Sequence, residues 1–117
     1  MDFMKCEWVD DSVKVTLVVK DYPARGVSLD EFKDIIQKIR EQSSSMIIVA
    51  DLKGAGIVGI ERFKSIVKIV TEVVEYTKDD DILREIQFVG TGVIFRALYG
   101  PISLAIPKYF RDMVVFL

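Results

Sequence analysis

Histidine is absent from this chain. Its absence removes the commonest general base and the commonest metal ligand together. Cysteine occurs once, as Cys6, which excludes an internal disulfide and a thiolate zinc cluster. Without histidine a Cys–His nucleophile pair is excluded as well, and Cys6 reads as a small buried hydrophobe on a first strand. No serine sits in a Gly-x-Ser-x-Gly elbow, and no pair of carboxylates is placed for acid–base work. No apolar run approaches the ~20 residues that span a bilayer. Met1–Glu7 has no basic stretch backed by an apolar core, so a signal peptide is not expected. The net charge is −2 and no basic run occurs, which gives no general electrostatic case for nucleic acid or an anionic membrane. These absences predict a soluble, cytoplasmic, non-catalytic protein with no cofactor and no metal.

What is present is a core. Of 117 residues, 50% are hydrophobic and 29% charged, the balance of one globular domain over residues 1–117. Met4, Cys6 and Trp8 alternate with polar neighbours. Asp10-Asp11-Ser12 is turn chemistry, and Val13, Val15, Leu17 and Val19 alternate again, so the chain opens as a β-hairpin. Ser28-Leu-Asp-Glu31 is a capping box, followed by Leu29, Phe32, Ile35, Ile36 and Ile39 at helical spacing. Met46–Asp51 is apolar on both faces, which predicts a central strand covered on both sides. Ile60, Phe63, Ile66, Val67, Val70, Val73 and Val74 line a long helix that should stop before the solvated cluster Asp79-Asp80-Asp81. Glu85–Val89 reads as a short strand and Val93–Tyr99 as a short helix broken at Gly100-Pro101. Met113–Leu117 reads as a last strand. The alternation predicts an α/β fold with a mostly parallel sheet and about three helices.

Gly54-Ala55-Gly56-Ile57-Val58-Gly59 spells G-x-G-x-x-G, the pattern that lets backbone approach a pyrophosphate at a helix N-terminus. Three features oppose that reading. Asp51-Leu52-Lys53 separates strand from glycine. The following strand ends in Gly90-Thr91, with no carboxylate for a ribose. A hairpin and a helix precede the motif, and too little chain follows it for a second nucleotide-binding half. The turn reads as scaffolding, with Asp51 capping it.

The last third crowds Phe95, Leu98, Tyr99, Ile102, Leu104, Ile106, Tyr109, Phe110 and Met113 into a proline-punctuated segment, with Arg96, Lys108 and Arg111 interspersed. Residues 84–117 hold four basic residues against two acidic ones. One reading is a helix closing the sheet. The other is an apolar pocket with basic residues at its rim.

The hairpin, the capped helix, the strand ending Val49-Ala-Asp-Leu-Lys-Gly54, the long helix and the strand Ile86–Val89 together resemble the SpoIIAA-like fold, shared by STAS domains and the CRAL-TRIO (Sec14-like) lobe. Asp51-Leu52 with Gly54 is similar to the STAS strand ending. Where that family carries a phosphorylated Ser or Thr, this chain reads Gly59-Ile60, so no phosphoacceptor is present. Ile86–Leu117 looks more like CRAL-TRIO, in which a mobile helix covers a lipid pocket; here Ile102–Tyr109 would be that segment. Nothing in residues 1–117 resembles the helical N-terminal domain usual in CRAL-TRIO proteins, and the lobe is expected to be shorter.

The resemblance implies a non-catalytic module binding a lipid-like or apolar small molecule beneath residues 93–110. Phe95, Leu98, Tyr99, Ile102, Ile106 and Phe110 would line the site, with Arg96 or Arg111 for an anionic head. The alternative is a STAS-like protein-interaction domain whose partner surface would include Gly56, Val58, Ile60 and Arg62. A homodimer stays open under either reading.

Overall fold

The computed structural model describes residues 3–23, 25–42, 44–56 and 59–117. Five strands form one sheet in the order β1-β2-β3-β4-β5. β1 (Met4–Val9) and β2 (Ser12–Val18) make the antiparallel hairpin. β2, β3 (Ser45–Asp51), β4 (Leu83–Val89) and β5 (Val114–Phe116) run parallel. The crossovers carry α1 (Asp30–Glu41), α2 (Gly59–Thr77), and the pair α3 (Val93–Ser103) and α4 (Lys108–Met113). The expected α/β fold with an N-terminal hairpin is therefore observed, with one helix more than the sequence pattern showed.

Strand order follows chain order. Right-handed crossovers stepping in one direction across a sheet place their helices on one face. The register shows which face. Leu17, Ala50, Phe88 and Phe116 lie in one row, and Val15, Ile48, Ile86 and Val114 in the next. These side chains join Phe32, Ile36 and Ile39 of α1, Phe63, Ile66 and Val70 of α2, Phe95 of α3 and Phe110 of α4 in or against one core. The other face carries Lys14, Thr16, Ile47, Val49, Glu85, Gln87 and Val115, and no described helix packs on it.

This corrects the reading of Met46–Asp51 as covered on both sides. The strand is central, but Val49 is buried on the open face between Thr16 and Gln87 of the flanking strands, outside the core cluster. Cys6, expected to be buried, is exposed on the edge strand.

α1 begins with half of the expected capping box: Glu31 reaches back, but Leu29 is the N-cap residue and the Ser28 hydroxyl makes no cap bond. The Ser28 N–H donates to the Glu31 carboxylate at 2.9 Å, and the Glu31 N–H donates to the Ser28 carbonyl at 3.1 Å. α2 is rich in β-branched residues and is held by burial of Phe63, Ile66, Val70 and Val73. It ends at Thr77, ahead of the aspartates, where the Thr77 hydroxyl donates to the Val73 carbonyl. β4 starts two residues earlier than expected, at Leu83. Among the described residues no helix is long and apolar enough to cross a membrane.

Candidate functional site

Gly100-Pro101 does not break the third helix. α3 runs on to Ser103 with Pro101 inside it. Proline lacks an amide hydrogen, so the Ala97 carbonyl loses its helical donor. The last turn tightens instead: the Leu104 and Ala105 amides donate to Pro101 and Ile102, and the Ser103 hydroxyl donates to Gly100 at 2.7 Å. Pro107 then starts α4, whose chain enters β5 without a loop.

The inner face of this segment is built from aromatic rings. Phe63 of α2 meets Phe88 of β4 at 5.3 Å and Phe95 of α3 at 5.6 Å. Tyr99 stands 5.6 Å from Phe88 and 5.2 Å from Phe116, in the edge-to-face and tilted arrangements that ring quadrupoles favour. Of the residues expected to line a ligand site, Phe95, Tyr99, Ile106 and Phe110 are buried here, and Leu98 and Ile102 pack half-buried against them. The fold thus brings all six to one side of the sheet.

One group in this cluster lacks a partner. Tyr99 is 8% exposed, and its buried hydroxyl has no hydrogen-bond partner among the described residues. Burial pushes its pKa up, and the Arg111 guanidinium opposes that rise. Arg96 takes a different part from the one expected. Its guanidinium lies 5.5 Å from the centre of the Phe116 ring, and Nε donates to the Thr91 hydroxyl at 3.3 Å. Arg111 is exposed.

The outer face of α3 is also apolar. Val93 is 85%, Ile94 63% and Leu104 83% exposed, and the other exposed positions between them are Ala97, Gly100, Pro101 and Arg96. Beside α4 an open cleft of about 440 Å³ is lined by Val74, Thr77, Leu83, Tyr109 and Met113 together with Lys78, Asp79, Asp81 and Asp112. Three carboxylates against one ammonium make this cleft a poor match for an anionic head. The Tyr109 hydroxyl donates to the Glu75 carboxylate and ties α4 to α2; this bond pushes the phenol up to about 12 and Glu75 down.

The glycine turn is described up to Gly56 and again from Gly59. Gly54 (φ 71°) and Gly56 (φ 62°) adopt the left-handed conformation, and the Lys53 amide donates to the Asp51 carboxylate at 3.0 Å, the capping role expected of Asp51. Gly56 is exposed. The Arg62 guanidinium donates to the Lys20 carbonyl at 2.6 Å, tying α2 to the turn after β2. Val58 and the Ile60 side chain lie outside the described residues. Among the described residues no cluster of acidic and cysteine side chains could hold a metal ion.

No family model and no curated protein matches the chain. Fifteen chains of solved structures do. One is Sfh5, a Sec14-family CRAL-TRIO protein, at 15% identity and a TM-score of 0.60, with 99% of this chain and 49% of that chain covered. The fold is CRAL-TRIO-like. At this identity the likeness speaks for the fold alone, and the chain spans about half the length of the Sfh5 chain. The STAS side of the resemblance has no matching family model.

Sequence reasoning found Phe95, Tyr99 and Phe110 through the crowding of apolar residues in this segment and through the family resemblance. It missed Phe63, Phe88 and Phe116, which complete the cluster from three other elements. Helical spacing marked Phe63 only as part of the α2 stripe, and no local pattern marks the three as neighbours of Tyr99, because strand register and helix packing bring them together.

Proposed function

We propose that the chain is a non-catalytic binding module that takes up a lipid-like, largely apolar ligand beneath residues 93–110. The observation that carries this reading is the Tyr99 hydroxyl, buried and unpaired within an otherwise apolar cluster. A buried hydroxyl without a partner costs about 1–3 kcal/mol, and a ligand head group that accepts from it recovers that cost. Arg111, close enough to act on the Tyr99 phenol, favours an anionic or strongly accepting head. The ligand enters by displacement of α3. Pro101 weakens the C-terminal turn of that helix, and the apolar ligand would cover the inner face, Phe95 and Tyr99, that lifting exposes.

The test is native mass spectrometry of the full chain after incubation with vesicles of a total phospholipid extract. A lipid adduct is expected on the wild type and on Phe95→Ala, which enlarges the site. It is expected to be lost in Ile102→Asp at unchanged circular dichroism. A clean protein mass for both wild type and Phe95→Ala overturns the reading, as does an adduct that survives in Ile102→Asp.

A further inference from the structure

β1 is the sheet's first edge strand, and all but its first residue are exposed. A six-residue edge with unpaired amides and carbonyls is a template for another strand. Which groups it offers follows from the hairpin. The Val18 amide donates to the Phe3 carbonyl at 2.7 Å, so in the antiparallel ladder residues 3, 5, 7 and 9 turn their backbone groups toward β2. Met4, Cys6 and Trp8 therefore present theirs outward.

The geometry points to a symmetric dimer in which β1 pairs antiparallel with β1 of a second copy, centred on Cys6. Three arguments select this occupant and register. An isologous antiparallel pair must match outward-facing residues with one another. Among registers that pair most of the strand, this leaves Cys6 opposite Cys6, or a shift that puts Lys5 opposite Lys5 or Glu7 opposite Glu7. Either shift sets like charges directly across from each other, which is destabilising. Centred on Cys6, the same strand sets Lys5 of each copy opposite Glu7 of the other, two opposite-charge pairs by symmetry. On the helix side the same register sets Met4 across from Trp8. Trp8 and Val9 are 45% and 49% exposed in the single chain, and pairing shields Trp8 against a thioether and its own backbone. The two sheets join edge to edge, with both helix layers on the same side, because the twofold axis lies perpendicular to the sheet.

Glu7 already faces Lys14 across the hairpin. In the dimer it stands between two lysines, one from each copy. The charges that usually protect an edge from promiscuous pairing here form a pattern complementary only to itself in one register.

Sedimentation velocity over a concentration series on the full chain tests this. The wild type is expected to dimerise reversibly. Lys5→Glu and Glu7→Lys are each expected to raise the dissociation constant about thirtyfold, since two attractive pairs become repulsive in each. Mixing the two variants is expected to restore a heterodimer, in which a strand acidic at both positions meets a strand basic at both. Cys6 is the sole cysteine, so a short bis-maleimide should link two wild-type copies through that residue alone. A monomeric wild type, single variants that associate as well as the wild type, a mixture that stays monomeric, or a dimer that the bis-maleimide does not link would each overturn the proposal.

Discussion

Replacing Tyr99 by phenylalanine isolates the feature on which the functional reading depends. The ring keeps its neighbours, Phe88 at 5.6 Å and Phe116 at 5.2 Å, so the packing term stays nearly constant. What leaves is a hydroxyl buried without a partner. A buried orphan costs about 1–3 kcal/mol, and the lower end applies here because the neighbouring Arg111 guanidinium softens the site. Tyr99→Phe is therefore expected to stabilise the ligand-free protein by about 1 kcal/mol, which at this chain length raises Tm by about 4 °C. Urea denaturation should show a higher midpoint at unchanged slope. The alkaline side gives an independent check. Burial raises the Tyr99 pKa above its ordinary 10.0, so the unfolded chain loses the proton first. The wild type's stability falls as pH rises above about 10 toward the folded-state pKa, and the variant lacks that contribution. The gap between the two proteins must widen above pH 10. Ligand uptake should move the opposite way and weaken in the variant. A variant less stable than wild type by about 0.5 kcal/mol or more, or a gap that does not change with pH, would refute the reasoning.

Phe63→Ala should destabilise the fold by about 4 kcal/mol in urea titration, because Phe63 bridges Phe88 and Phe95 at full burial. Gly90→Ala should cost at least about 1 kcal/mol, since its φ is 72° and an added Cβ would come within 2.4 Å of the Lys53 side chain and 3.1 Å of the Lys53 amide nitrogen. Glu75→Gln should bring the Tyr109 phenol down from about 12 toward its ordinary 10.0, read by ultraviolet difference titration, because the carboxylate bond is the main cause of the rise.

The legible parts of the fold were those with local signatures. α1 announced itself through Ser28, Glu31 and the Phe32–Ile36–Ile39 spacing, and the Asp51 cap through its place between strand and glycine. Two of the misreadings share a cause: apolar side chains can be buried by neighbours that the sequence does not show as neighbours. Ile47 and Val49 look like residues under a second helix layer, yet strands on either side cover them well enough. Gly100-Pro101 looks like a terminus, but a proline one turn from the helix end costs a single backbone bond, and Ile102 stays packed against the core. At the candidate site, the spacing from Phe95 to Phe110 marked a buried face. Nothing local marked Tyr99 as the member left without a partner, because that depends on what three distant elements fail to supply.

A sheet whose spatial order repeats its chain order has a consequence for how the molecule is made. Each strand beyond the hairpin pairs first with a strand already in place, so no segment waits for a distant one to close the sheet. Every loop closed during assembly is about one βα unit long, which keeps its entropic cost low. The hairpin with α1 and β3 can form while later residues are still being synthesised, and each further unit then winds onto the growing edge. The aromatic cluster needs the last strand, because Phe116 of β5 is one of the rings packed on Tyr99.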